Sequence, residues 1–249
     1  MRQPTTSEPP GPTPEPLQDV NTLLSHADDN MVLAQRLGDW IANAPELEED
    51  IALGNIALDH LGVARALYTR AGELEGLGRS EDDLAMGRSE REFLNVLLVE
   101  QPNGDFAHTM VRSLFFDAYQ VELWAEWSEN DDAELAGVAS RALKEARYHL
   151  AHSSGWVVRL GDGTEESHDR SQRAVDALWR YTAELFEVNA GYRDRWEKVI
   201  ADVFDDAKLE IPDDPYQRSG GRRGFHTEHL GHLLTEMQWM QRSYPGLEW

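Results

Sequence analysis

The chain has 249 residues, a formal net charge of -23 and no cysteine, which excludes disulfides, thiolate chemistry and cysteine-ligated zinc or iron–sulfur sites. Such an acidic chain repels nucleic acid and anionic membrane surfaces, because either partner is bound through clustered Lys and Arg. No apolar run approaches the roughly 20 residues of a membrane span, and the first residues lack the features of a secretory signal. We therefore expect a cytoplasmic protein that binds neither nucleic acid nor membranes.

Residues 1–20 are rich in Pro, Thr, Ser and Glu and have almost nothing apolar to bury, which predicts a disordered tail. Residues 21–249 show the three- and four-residue apolar spacing of helices, and no segment alternates long enough to demand a strand. The sequence therefore predicts an all-α protein whose long helices share one core and form a single domain.

Apolar spacing, caps and breaks predict eight helices in chain order. Pro45 suits a first helical turn, and Ser89 with Glu92 has the spacing of a capping box. The predicted helices span residues 21–41, 45–76, 89–99, 105–129, 133–160, 164–186, 193–208 and 226–243. Residues 211–224 are rich in Pro and Gly and are predicted to be irregular.

The fifth predicted helix carries a pattern close to that of a metal site in a helical bundle. Glu145 and His149 are four residues apart and project from one helix face. Di-iron bundles use a Glu and a His three residues apart on each of two helices, and one carboxylate from each of two others. Since Ala146 stands three residues before His149, two interpretations remain open: a ligand pair, or a solvated or hydrogen-bonded polar face.

Two other histidine patterns are weaker. Glu165 and His168 have ligand spacing, but acidic residues in a first helical turn are favoured by the helix dipole alone. His226, His229 and His232 recur every three residues, and we favour a polar helix face at a contact between subunits over a metal site.

Five stretches of the chain together resemble the ring-epoxidising phenylacetyl-CoA oxygenases. Within them, the runs VEQPNG and HTEHLG are the most specific, and the resemblance covers the chain after the tail. The resemblance is to the structural, non-catalytic subunit of these oxygenase complexes. It implies a ferritin-like helical bundle with additional C-terminal helices. The stretches lie at residues 37–62, 97–110, 144–150, 178–186 and 224–238.

The resemblance implies a multicomponent di-iron monooxygenase. In it, a catalytic ferritin-like subunit epoxidises the ring of phenylacetyl-CoA in aerobic phenylacetate degradation, and a flavin and iron–sulfur reductase delivers the electrons. This chain is then expected to be non-catalytic and to hold no cofactor, the di-iron centre belonging to the homologous catalytic partner. It is expected to pair with that subunit, and with the other subunits, through an exposed helical face that also allows self-association of the chain alone.

Matched to the family's ligand pattern, Asp59, Asp117 and His149 fall at ligand positions, and Asn30 lies near the first-helix carboxylate. Gly62 and Ala146, however, stand where a His and a Glu belong. We therefore predict an inward-facing vestigial pocket without metal, formed by Asp59, Asp117, Glu145 and His149. A divergent di-metal oxygenase that uses these residues, or a ferritin-like storage protein, is the alternative that iron content would distinguish.

The most basic short run of this acidic chain is RSGGRRG at residues 218–224. Glycine lets a backbone approach a partner closely, and Arg pairs bidentately with carboxylate or phosphate. We predict that this run and the following helix dock a neighbouring subunit, in preference to a CoA phosphate. Reversing the charge of two of its arginines is expected to weaken assembly and leave thermal unfolding nearly unchanged. The predicted contact residues are Arg218, Arg222, Arg223, His226, Glu228 and His229.

Overall fold

The computed structural model describes residues 19–213 and 216–246, and every regular element within them is helical. This confirms the all-α prediction. Residues 1–18 of the predicted tail lie outside the described residues. The α-helices are α1 Val20–Gly38, α2 Leu47–Glu75, α3 Glu81–Met86, α4 Phe106–Trp127, α5 Ala133–Gly161, α6 Glu165–Leu178, α7 Arg193–Ala207, α8 Glu228–Met237 and α9 Trp239–Ser243.

Two antiparallel hairpins, α1 with α2 and α4 with α5, form the helical bundle. The caps agree with the sequence: Asp105 and Asp132 accept backbone N–H groups at the starts of α4 and α5, and α2 ends at Gly76 in the left-handed region. The hairpins meet where α2 lies beside α5 and where Asn30 of α1 contacts Gln120 of α4. Helices α6 to α8 extend the same apolar core.

The helix predicted at residues 89–99 is wrong. Ser89 and Glu92 do form a capping box, yet only a single 3-10 turn, Glu90–Glu92, follows. Residues 93–105 are irregular and largely buried. Capping chemistry therefore identified a real turn but not a helix.

Carboxylates from distant parts of the chain replace the helical hydrogen bonds of this segment. The Leu94 and Val96 N–H groups donate to Asp28 and Asp29 of α1, at 2.7 and 2.8 Å. The Leu97 N–H donates to Glu184 at 2.6 Å. Because buried backbone donors need partners, these acids hold the segment in a non-helical shape.

Three further boundaries differ from the prediction. The helix predicted at 164–186 ends at Leu178 and continues as 3-10 turns, Trp179–Tyr181 and Ala183–Phe186. The last predicted helix breaks at Gln238, whose side chain donates to the carbonyls of Ala85 and Arg88. Helix α3 was not predicted, although Ser80 and Asp83 form a capping box at its start. Across the described ranges, no helix is both long enough and apolar enough to cross a membrane.

Candidate metal centre

The structure places Asp59 and His149, both predicted for the vestigial pocket, in direct contact. His149 of α5 is buried, and its Nε2 lies 3.0 Å from Asp59 Oδ2 of α2. Asp59 itself is 38% exposed, so it stands at the edge of the bundle and does not face fully inward. Glu145 lies 3.4 Å from Arg141 on the preceding turn, and partial burial together with the nearby charge of Asp59 raises its pKa. Its place in the pocket stays a prediction.

Asp117 of α4 is buried as predicted, and Ser153 of α5 donates its hydroxyl to the Asp117 carboxylate at 2.7 Å. Burial raises the pKa of Asp117 to about 8, and the Ser153 hydrogen bond opposes that rise. None of the causes of this shift is a neighbouring cation. The carboxyl group therefore lacks the compensating charge that a buried acid usually has.

The sequence patterns above miss His60 as a member of the pocket. His60 is buried on α2, and its Nδ1 lies 2.8 Å from Asn30 Oδ1. Gln120 donates to the same oxygen at 3.0 Å. His60 lies on the buried stripe of α2, between Ile56 and Val63, and this position in the apolar pattern could have identified it from the sequence.

His60, Asp117 and His149 each direct one potential ligand atom into a common space, and these atoms lie within 4.8 Å of one another. The His60 Nε2 and His149 Nδ1 atoms have no hydrogen-bond partner among the described residues. Burial lowers the pKa of both imidazoles, so both are neutral at pH 7 and carry lone pairs on the nitrogens that lack partners. We call these three residues the histidine cluster.

The histidine cluster does not fit a dinuclear iron centre. Such a centre takes about six side-chain donors, most of them carboxylates. Here one carboxylate and two imidazoles converge, and Asn30 presents a neutral amide where the first helix would supply an acid. Ala146 and Gly62 offer no side-chain donor. Whether the chain holds any metal stays a prediction.

The docking role predicted for the basic run is wrong for Arg222 and His226. The Arg222 side chain is buried and pairs with Asp29 at 2.7 Å. The His226 imidazole is fully buried, with Nδ1 2.8 Å from Glu100 Oε2 and Nε2 2.8 Å from the Phe93 carbonyl. Both side chains hold the chain's own irregular segment and are therefore not accessible to a partner.

The glycines of this run also serve the chain itself. The N–H groups of Gly220 and Gly221 both donate to Glu184 Oε1 at 2.7 Å. A Cβ on Gly221 would lie 2.0 Å from the carbonyl oxygen of Asn95, so only glycine fits this approach of two backbones. Arg218, Arg223 and Glu228 are exposed and His229 is half-buried, and for these four a partner contact stays a prediction.

An apolar surface stripe runs along the first half of α2. Leu47, Ile51 and Leu58 are more than half exposed, and Leu61 lies on the same face of α2. Tyr148 of the neighbouring α5 is exposed as well. We call these five residues the α2 face. Several large exposed apolar side chains on adjacent turns are typical of a protein interaction surface.

Two comparisons with known proteins agree with this architecture. The family described as phenylacetic acid catabolic protein matches residues 9–249. The chain is also 47% identical over 237 residues to the C subunit of the 1,2-phenylacetyl-CoA epoxidase of Escherichia coli (strain K12), a match that covers 89% of this chain and 95% of that protein. The match thus extends over both helical hairpins and the C-terminal helices, and the chain belongs to the family of phenylacetic acid catabolic proteins.

Proposed function

We propose that this chain is a non-catalytic subunit of a cytoplasmic, multicomponent di-iron monooxygenase that epoxidises the ring of phenylacetyl-CoA in aerobic phenylacetate degradation. Its likeness to a bacterial 1,2-phenylacetyl-CoA epoxidase subunit supports the complex and the substrate. The observation that carries the non-catalytic role is the donor set of the bundle, where Asn30 and Ala146 leave too few ligands for two iron ions.

The di-iron centre would then belong to a homologous catalytic subunit, and this chain would hold no redox cofactor. We propose that the partner docks on the α2 face, because this apolar stripe lies on a long and regular helix. Permanent complexes commonly bury more than about 2,000 Å² and are more apolar than transient ones. The same stripe explains why the chain alone is expected to self-associate.

The docking proposal is tested with the chain co-expressed with a tagged catalytic subunit. Replacing Ile51 and Leu58 together by Asp is expected to abolish co-purification, because two charges would be buried at the interface. Leu77→Asp is a matched control, since Leu77 is exposed outside the α2 face. Size-exclusion chromatography with light scattering, and circular dichroism to verify folding, provide the readout. A double variant that still co-purifies would refute docking on the α2 face.

The catalytic assignment is tested separately. Purified alone and supplied with the reductase, the chain is expected to give no turnover of phenylacetyl-CoA, whereas the complex is active. Iron measured on the separated subunits is expected to follow the partner. Turnover by this chain alone, or two iron ions bound to it, would refute the non-catalytic role.

A further inference from the structure

We propose that the histidine cluster binds a single divalent transition-metal ion that has a structural role. The three side chains come from three helices, His60 from α2, Asp117 from α4 and His149 from α5, and their ligand atoms lie within 4.8 Å of one another. This inference goes beyond the proposed function and replaces the expectation of a metal-free pocket. It leaves the absence of a dinuclear centre as proposed.

The first argument is the tautomer of His60. The Asn30 amide nitrogen donates to the His26 carbonyl at 2.8 Å, which leaves Asn30 Oδ1 as an acceptor. His60 Nδ1, 2.8 Å from that oxygen, is therefore the protonated nitrogen. Its Nε2 then carries a lone pair, is buried, and has no partner in the described ranges. Buried polar atoms without a protein partner are rare in folded proteins, and a bound ion is one way in which such atoms are satisfied.

His149 of α5 shows the same arrangement. Its Nε2 donates to the Asp59 carboxylate at 3.0 Å, so the lone pair lies on Nδ1, which is the second nitrogen without a partner. A carboxylate that orients a ligating histidine through its other nitrogen is a common outer shell of protein metal sites. Asp59 thus has the place of an orienting residue and not of a ligand.

Asp117 supplies the only carboxyl group of the histidine cluster. One of its oxygens is held by the Ser153 hydroxyl, and the carboxyl group meets no Arg or Lys among the causes of its shifted pKa. Two neutral imidazoles and one carboxylate form a donor set that suits Zn²⁺ or Fe²⁺ better than Mg²⁺ or Ca²⁺, which prefer oxygen. One bound ion would accept both lone pairs and would favour loss of the Asp117 proton.

The position of the cluster indicates what the ion would do. His60 belongs to the hairpin of α1 and α2, whereas Asp117 and His149 belong to the hairpin of α4 and α5. A metal bound to all three would join the two hairpins in the middle of the bundle. Its expected effect is therefore on the stability of the fold and not on redox chemistry.

The test uses the full chain with His229→Asn and His232→Asn, which removes histidines at the surface that could bind metal adventitiously. After removal of metal with a chelator, Co²⁺ or Zn²⁺ is titrated and the bound metal is measured by mass spectrometry. We expect one ion per chain, a rise in Tm, and a visible absorption band for Co²⁺. Asp117→Asn and His60→Asn are expected to abolish tight binding. Asp59→Asn should weaken binding about 10- to 100-fold by disturbing the orienting carboxylate.

His152→Asn is the matched control, because His152 lies one turn beyond His149 and contacts Glu49 outside the cluster. It should bind metal like the parent chain. Circular dichroism verifies the fold, and Asp59→Asn, at the edge of the bundle, keeps the test valid if a core variant does not fold. No binding, or binding that Asp117→Asn leaves unchanged, overturns the inference. Two ions per chain overturn it as well, and only that outcome also contradicts the proposed function.

Discussion

Two buried polar clusters of the bundle are stabilised in opposite ways. In the first, Asp28 lies against Arg88 and Asp29 against Arg222, and we call these four residues the ion-pair cluster. In the histidine cluster, one carboxylate and two neutral imidazoles face one another, and no described cation joins them. Both groups are withdrawn from water to a similar degree, so burial alone does not decide what a polar cluster does.

The contrast is clearest in two aspartates. Burial alone would raise the pKa of Asp29, but the charge of Arg222 and the contact with His26 bring it below the ordinary value. The pKa of Asp117, with only a hydroxyl beside it, rises to about 8. In the ion-pair cluster, opposite charges from the chain itself pair with one another and stabilise the fold. In the histidine cluster, nitrogen lone pairs without a partner could bind an ion.

Breaking the ion-pair cluster should have the largest effect. Arg222→Glu is expected to lower the free energy of unfolding by about 3–5 kcal/mol, because it sets a second buried carboxylate against Asp29. Urea denaturation measures this loss. Arg223→Glu is the control, since Arg223 is exposed on the neighbouring position. Equal stability of the two variants would show that Arg222 is not a structural residue. For Arg222, the expected loss of stability replaces the sequence-based expectation that charge reversal leaves unfolding nearly unchanged.

The same cluster can be disturbed through the backbone that covers it. Gly221→Ala is expected to cost about 1–3 kcal/mol, since its Cβ would overlap the Asn95 carbonyl oxygen and force two backbones apart. Gly137→Ala on α5 is the opposite case, because a Cβ there meets nothing within 4 Å. That control should be neutral or stabilising by up to about 1 kcal/mol. Thermal unfolding of both variants distinguishes a packed glycine from a free one.

A smaller, pH-dependent effect is expected at His226. Burial lowers its pKa, but the hydrogen bond and charge of Glu100 outweigh burial, and the net pKa lies above the ordinary 6.5. A raised histidine pKa stabilises the fold fully below about pH 6.5, and this stabilisation is lost as pH rises through the folded-state pKa. His226→Gln should therefore be less stable than the parent chain by about 1 kcal/mol at low pH.

The measurement is the free energy of unfolding of both chains from about pH 5.5 to 9. The gap between them should narrow toward the upper end. In a Glu100→Gln background the gap should no longer be larger at low pH, because the charge that raises the His226 pKa is gone and burial lowers it. A gap that is constant across this range would contradict a charged pair.

The histidine cluster should respond least when it is free of metal. His60→Leu is expected to change the free energy of unfolding by less than about 1 kcal/mol. It loses the His60 hydrogen bond to Asn30 but also removes a buried nitrogen that has no partner, and Asn30 stays bonded to Gln120. Denaturation in the presence of a chelator measures this. A loss as large as that of Arg222→Glu would mean that the two clusters are equivalent and would remove the contrast between them.

Local pattern sufficed wherever a helix buries one face. The stripes of α1, α2, α4 and α5 follow from apolar periodicity, whereas the burial of Asp117 and His149 was expected from the resemblance to the family's ligand pattern. Local pattern failed where the contact that determines the structure comes from a residue distant in sequence. Arg222 has the sequence context of a surface charge in a basic run, since nothing near it reveals that it meets Asp29, 193 residues away.

The helix predicted at residues 89–99 was wrong for the same reason. Its apolar run has helical composition, yet Leu94 gives its N–H to a carboxylate 66 residues earlier. His60 is missed because the family pattern places a histidine two positions later, at Gly62. In each case the missing information was a tertiary contact and not a local preference.

The carboxylates that hold residues 93–97 also bear on the order in which the chain folds. The three N–H groups of Leu94, Val96 and Leu97 find their acceptors on α1 and near residue 184, separated by 66, 67 and 87 positions. Contacts between such distant positions form late, because the entropy of closing long loops must be overcome first. The helical hairpins can assemble from near neighbours, whereas this segment takes its shape only when both α1 and the region around Glu184 are in place. We therefore expect these three amide hydrogens to become protected from exchange with solvent only at the last step of folding.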